Sequence, residues 1–424
     1  MPVVGTALII AFSSQRDWMG RVLGSKLLVG VGTISYSAYL WHFPIFAFSR
    51  IKDSAPDNLD KAGWIAITLA LSTVSYYLIE RPFRNKLLVS ARLGVIILLS
   101  ASFLLLALQF SVLATHGFEG RVPKILQGHK ENAEIGFKTK WYFELINSSA
   151  CLESGRSSCT PETIPGARWI NLLGDSHMAM LAPDLKERLS HQYNIKALMS
   201  MACWPTLGVN QFDEEGRKLK GCSVSYQRRR IDELRETKDS IVIISGRLPV
   251  YLHEEGFDNT EGGIEVFGKY GSRFFANLRP SSAGTTVQQE VQRSLHEILK
   301  QGHQVILVYP TPEVGWNVST KLWIERGENL QGTLEHHDQN TISTSYSVYL
   351  DRTRSSFIVL DGVIHKNLYR VYPHTLFCDN QIKGRCVTHD DKVLYYDDDD
   401  HLSSAGAAMV NDLILEKIKE IKRR

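Results

Sequence analysis

The sequence has no Cys-x-x-Cys pair and no histidine grouped with its cysteines, so it offers no zinc-site pattern, and no metal is expected. It also lacks a concentrated basic face with aromatics between the charges. With a net charge of +3 over 424 residues, this excludes a nucleic-acid role. Cysteine is missing from the first 115 residues: Cys151, Cys159, Cys203, Cys222, Cys378 and Cys386 all come later. An even number confined to one part of the chain, in three local pairs, suits disulfides in an oxidising compartment. The alternative is six unrelated buried thiols.

Charge is scarce where cysteine is absent. Leu93 to Ala114 is uncharged for 22 residues, long enough to cross a hydrocarbon layer of roughly 30 Å as a helix. Leu27 to Ser49 is a second such run, interrupted only by His42, and Gly63 to Ile79 is a shorter third. Val3 to Phe12 is apolar but too short to span. No basic residue precedes it and no small-residue cleavage site follows, so it does not read as a signal peptide. It reads as the tail of a helix. Basic residues set the orientation. Arg16, Arg21 and Lys26 precede the second segment, and Arg81, Arg84, Lys86 and Arg92 precede the last. The intervening loop offsets Arg50, Lys52 and Lys61 with Asp53, Asp57 and Asp60. The last helix then runs outward and delivers the rest of the chain to the periplasm, in agreement with the cysteines. The expected location is the bacterial cytoplasmic membrane, with several spans.

Two blocks in this region carry a resemblance. Gly32-Thr33-Ile34-Ser35-Tyr36-Ser37-Ala38-Tyr39-Leu40-Trp41-His42-Phe43-Pro44, followed by Tyr76-Tyr77-Leu78-Ile79-Glu80-Arg81-Pro82-Phe83-Arg84, resembles the late helices of the acyltransferase family 3 membrane proteins. Trp41 and the tyrosines read as interfacial anchors, while His42 reads equally well as functional or structural. Family members have further helices ahead of these, with His and Arg residues for acyl-donor chemistry, and no residue here inherits those roles. The resemblance therefore implies missing N-terminal helices, supplied by a longer product or a separate polypeptide.

The expected layout is membrane helices over residues 1–115, a polar linker over 116–166 and an α/β domain over 167–424. In that domain, strands are expected at Trp169–Leu173, Ile195–Met199, Ile241–Ile244, Gln304–Val308 and Phe357–Leu360. Helices are expected from Ala179, over Ser223–Thr237, from Thr286 and from Ser404 to the end. Arg228-Arg229-Arg230 reads as a solvated face. Alternating strands and helices imply a mainly parallel sheet covered on both faces, a three-layer domain.

In such a sheet, reactive groups belong at the carboxyl ends of strands. Gly174-Asp175-Ser176-His177 stands there, at a helix start where free N–H groups suit an oxyanion. A serine hydroxyl needs a base, and Asp398-Asp399-Asp400-His401 precedes the last helix. Each block alone is weak, since Asp and Ser are common helix caps. Together, Gly174-Asp175-Ser176-His177 and Asp398-x-x-His401-Leu402-Ser403 resemble the first and last motifs of the SGNH hydrolases, particularly those fused behind acyltransferase family 3 domains. The resemblance implies an SGNH, flavodoxin-like fold with Ser176 as nucleophile, His401 as base and Asp398 as its partner; Asp399 and Asp400 do not match in spacing. It also implies an oxyanion hole built from a Gly and an Asn. Gly208, after Cys203-Trp204-Pro205, fits the first. Ser245-Gly246-Arg247 stands where the Asn belongs, leaving Arg247 as the substitute. Cys203–Cys222 and Cys378–Cys386 would brace the flanking loops, and Cys151–Cys159 would close a small loop.

The implied activity is O-acyl transfer to a surface glycan such as lipopolysaccharide O-antigen, or to a lipid-linked sugar, with acetyl-CoA as the donor of the complete system and no bound cofactor. A periplasmic acetylesterase and an inactive glycan-binding module are the alternatives.

Overall fold

The computed structural model describes residues 2–12, 14, 16–52, 57–85, 88–115, 117, 163–213, 215–265, 277–322, 342–390 and 392–423. The chain divides into two units, Met1–Glu119 and Gly120–Arg424.

The first unit is helical: α1 (Pro2–Phe12), α2 (Trp18–Leu23), α3 (Lys26–Lys52), α4 (Asn58–Ser75), α5 (Arg81–Arg84) and α6 (Ala91–Ala114). A π-helical turn, Tyr76–Glu80, joins α4 to α5. Among the described residues, two helices are long and apolar enough to cross a membrane, Asn58–Arg84 and Ala91–Ala114. On α6, Leu98, Phe103 and Phe110 lie exposed along the helix, as a lipid-facing segment requires. The two sequence blocks of this unit meet: Ser37 Oγ donates to Glu80 Oε2 at 3.0 Å and Trp41 Nε1 to Ser75 Oγ at 2.8 Å.

Among the described residues, the second unit carries nine strands: β1 (Trp169–Gly174), β2 (Asn194–Met199), β3 (Val209–Phe212), β4 (Ile241–Ser245), β5 (Asn277–Pro280), β6 (Gln304–Val308), β7 (Ser343–Ser345), β8 (Leu368–Val371) and β9 (Arg385–Val387). Five of them form a parallel sheet in the order β2-β1-β4-β6-β8. Helices α7 (Ser176–Leu189), α8 (Val224–Asp232), α9 (Leu248–His253), α10 (Val287–Lys300), α11 (Tyr346–Asp361), α12 (His374–Phe377) and α13 (Ser404–Arg423) alternate with them. The strands are apolar on both sides because both faces are covered. Along β4, Ile241 and Ile243 enter one core with α7 and α13, while Val242 and Ile244 enter the other with α8 and α10.

Two expectations are corrected. Phe357–Leu360 is not a strand but the last part of α11, and the fifth strand is β8, a few residues later. A short apolar run does not distinguish a strand from a buried helix segment. Arg230 is not on a solvated face; it is 0% exposed. Its guanidinium donates to the carbonyls of Gly174 (2.6 Å) and Leu198 (2.6 Å), tying together the carboxyl ends of β1 and β2.

Cys203–Cys222 and Cys378–Cys386 are disulfides. Cys151 and Cys159, with most of the expected linker, lie outside the described residues.

Candidate active site

From β1 the sheet extends one way to β2 and the other way to β4, β6 and β8, so the strand order reverses there. A crevice opens at such a switch point, beyond the carboxyl ends of the strands. Gly174-Asp175-Ser176-His177 lies there, and each residue has a physical reason. A Cβ on Gly174 would stand 1.9 Å from the Ser245 carbonyl oxygen, so only glycine lets β1 and β4 close. Asp175 is buried and caps α7 by accepting from the His177 N–H at 2.9 Å. Its other oxygen accepts from the Arg247 N–H at 2.9 Å and the Tyr251 hydroxyl at 3.1 Å. Burial and the Asp175 charge push Tyr251 well above its ordinary pKa, so it remains a donor. Ser176 begins the helix, in the first turn, where N–H groups have no carbonyl partner within the helix.

The second block arrives on α13, which packs against α7. Asn411 Nδ2 donates to Leu181 O at 3.0 Å and to Asp184 Oδ2 at 2.8 Å. Arg188 adds an ion pair to Asp412 at 2.5 Å. Just before α13, Asp398 Oδ1 accepts from the N–H groups of Asp400 (3.0 Å) and His401 (2.7 Å), a side-chain-closed turn that aims His401 back toward α7. Tyr396 and Asp399 fasten this turn to the segment after β6, through Tyr396 OH to Pro312 O (2.9 Å) and Val314 N to Asp399 O (2.7 Å).

The two blocks meet at Ser176 and His401. His401 Nε2 lies 2.9 Å from Ser176 Oγ. Its Nδ1 lies 2.9 Å from Asp398 Oδ2 and 3.0 Å from Asp400 Oδ1. The Asp400 side chain is 4% exposed and that of Asp398 38%. Asp400 Oδ2 in turn meets His177 Nε2 at 2.9 Å and Arg247 Nη1 at 3.0 Å. Burial opposes ionisation of Asp400, but the adjoining Arg247 holds its carboxyl well below the usual range. Burial also opposes charge on His401, but Asp400 and Asp398 outweigh it and push its pKa up to about 11. Burial, with neighbouring carboxylates, raises Asp397 and Asp399 to about 7.

The remaining expected residues sit differently. Arg247 is buried, with Nε on Glu313, Nη1 on Glu265 and Asp400, and Nη2 on Glu265 and Glu313. That leaves its guanidinium no donor for an oxyanion at Ser176. Gly208 packs against the Glu290 carboxylate, and its carbonyl accepts from Ser281 N at 2.7 Å. Among the described residues no hydrogen bond joins Gly208 to Ser176. His177, Asp400 and His401 bring metal-ligand atom types within 4.8 Å of one another, but Asp400 already faces both imidazoles and a guanidinium.

Residues 148–416 match the family described as the SGNH domain fused to AT3 domains. The chain belongs to this family. The chain has curated relatives over short stretches. The peptidoglycan O-acetyltransferase OatA of Listeria monocytogenes is 27% identical over 85 residues, 20% of this chain and 14% of that protein. A putative O-acetyltransferase of Staphylococcus aureus is 34% identical over 81 residues, 19% of this chain and 13% of the relative. The matches thus span about one seventh of those proteins. Among solved structures, the periplasmic domain of a lipopolysaccharide acetyltransferase from Salmonella ser. Paratyphi A matches 71% of this chain and 98% of its own, at 14% identity and TM-score 0.45.

His177 and Asp400 join the candidate site through contacts that the motifs did not announce. The signal was present, since both lie inside the two blocks. What was missing was the pairing across 223 residues of sequence, which only the α7–α13 packing creates.

Proposed function

We propose that this chain, with its helical unit and SGNH domain, acts as a membrane-bound O-acetyltransferase on a bacterial surface glycan, with Ser176 as nucleophile, His401 as general base and Asp398 as an orienting carboxylate. The observation that carries the reading is the 2.9 Å contact of Ser176 Oγ with His401 Nε2, with a carboxylate on Nδ1 of the same ring. Membership of the family fused to AT3 domains, and curated relatives named O-acetyltransferases, support transfer over simple hydrolysis.

In this mechanism neutral His401 takes the Ser176 proton as Oγ attacks the acetyl carbonyl. The Ser176 N–H and the α7 dipole face the oxyanion that forms. Collapse expels the donor's leaving group, which takes the proton from Nε2, and leaves acetyl-Ser176. A sugar hydroxyl then attacks the ester while His401 accepts its proton. Ser176 recovers that proton as the glycan acetate departs. The helical unit anchors the chain in the cytoplasmic membrane, the SGNH domain faces the periplasm, and acetyl-CoA is the donor of the complete system.

Cells carrying the complete system with Ser176→Ala should lose glycan O-acetylation by a factor of about 10³ or more, read by mass spectrometry of the released glycan. Undiminished acetylation would refute the nucleophile. Acetate release without acetyl-glycan from the wild-type protein would make it an esterase.

A further inference from the structure

We propose that Asp400 is a second positioning carboxylate for His401, itself held by Arg247 and His177. The inference rests on the reading of Ser176 and His401 as the reacting pair and adds a residue that the Asp-x-x-His spacing passes over.

His401 Nδ1 carries one proton and faces two acceptors at nearly equal distance, Asp398 Oδ2 at 2.9 Å and Asp400 Oδ1 at 3.0 Å. Their surroundings differ. Asp398 is half-open to water, and its Oδ1 already closes the turn by accepting from two main-chain N–H groups. Water screens its charge and competes for its oxygens. Asp400 is almost wholly enclosed, and its second oxygen is pinned by His177 Nε2 and Arg247 Nη1. An ionised carboxylate only accepts, so His177 presents a protonated Nε2 to it. Arg247 is pinned in turn by Glu265 and Glu313, and Glu313 by Arg352 Nε at 2.9 Å. A carboxylate fixed from three sides fixes the imidazole more firmly than one in solvent.

The charges lead to the same residue. Within the enclosed cluster, Asp400, Glu265 and Glu313 are balanced by Arg247, Arg352 and a protonated His401. Asp398, Asp397 and Asp399 surround His401 on its own turn, while Ser176 and His177 face it from α7. Removing the imidazolium proton leaves an uncompensated buried negative charge, and that raises the proton affinity of His401 far above the ordinary 6.5. The neutral base then forms only at alkaline pH in the unliganded protein, so the rate should rise with pH and level off late.

The test uses the full chain in detergent, with hydrolysis of a chromogenic aryl acetate followed across pH and the Ser176→Ala rate subtracted. Asp400→Asn should lower the midpoint of the rate–pH curve by about one unit or more. It should also cut the alkaline plateau of kcat by about tenfold to a hundredfold with little change in KM. Asp398→Asn keeps an Oδ1 that can close the turn and serves as the variant safe for folding. It should retain an alkaline midpoint and lose no more than about tenfold in kcat. An unchanged Asp400→Asn midpoint overturns the inference. So does Asp398→Asn activity at the Ser176→Ala level, which also decides the matter if Asp400→Asn does not fold. Wild-type hydrolysis by Ser176→Ala would instead overturn the nucleophile reading, and this inference with it.

Discussion

Arg230 illustrates what a single position conceals from a sequence reading. Three consecutive arginines on a helix occupy three directions, and nothing in the run tells which one turns inward. The structure buries the third, whose guanidinium bonds the carbonyls of Gly174, Leu198 and Cys203. The Gly174 carbonyl ends β1, which presents Ser176, and also accepts from Ser200 N at 3.0 Å. Leu198 lies near the end of β2 and Cys203 in the loop beyond, so Arg230 ties these backbone groups together below the site. Arg230→Met keeps the volume but removes these buried charge-assisted bonds, at a cost of about 2–5 kcal/mol. Urea unfolding followed by tryptophan fluorescence should show the loss, and a stability within error of wild type would deny Arg230 this role. The meeting of Ser176 with His401 could be expected from sequence because a helix start and an Asp-x-x-His block each leave a local trace. That of His177 with Asp400 could not, because a buried histidine–carboxylate pair has no spacing of its own.

Among the elements, the mainly apolar strands β1, β2, β4 and β6 were read correctly. They fill both cores, and the polar Asn171 of β1 and Lys196 of β2 are buried with partners, Asn171 on Thr237 and Ser240 and Lys196 on Glu236. Phe357–Leu360 misled because four consecutive apolar residues match a strand, whereas α11 buries only Val359 and Leu360 of the four and leaves Ile358 exposed; its length of 16 residues marks it as a helix. The contact that assembles the site lies between α7 and α13, and no single-segment pattern announces it. Asn411 is its polar centre, donating to Leu181 O and Asp184 at a position fully buried between the helices. Asn411→Leu removes both bonds and crowds the seam, which should cost about 1–3 kcal/mol. Because α13 carries His401 at its start, labelling of Ser176 by a fluorophosphonate should also slow. Normal labelling with normal stability would show that the seam does not govern the site.

For the whole molecule, charge and cysteine distribution led to the expectation of an apolar helical unit and a cysteine-bearing α/β unit, because spanning length and redox compartment each constrain composition, and the structure divides the chain at Glu119 and Gly120. The protonation behaviour of the site was not legible, since it depends on which carboxylates the fold encloses together. Its consequence for stability has a definite sign. The folded pKa of His401, about 11, exceeds its ordinary 6.5, so its proton stabilises the fold fully below 6.5 and that contribution is lost as pH rises through about 11. Asp397 and Asp399, raised from 3.8 to about 7 chiefly by burial, act in the same direction over a lower window. Asp400 acts oppositely: its contribution is present above 3.8 and is lost only in stronger acid. At and above neutral pH the His401 contribution therefore dominates among these groups, and the unfolding temperature should decline from neutral toward pH 11. His401→Gln removes the titrating group while keeping a side chain of similar reach, so its decline over that window should be shallower than that of wild type. Parallel slopes would mean that His401 enters the folded protein with an ordinary pKa, and the charge balance around Asp400 would then have to be drawn without it.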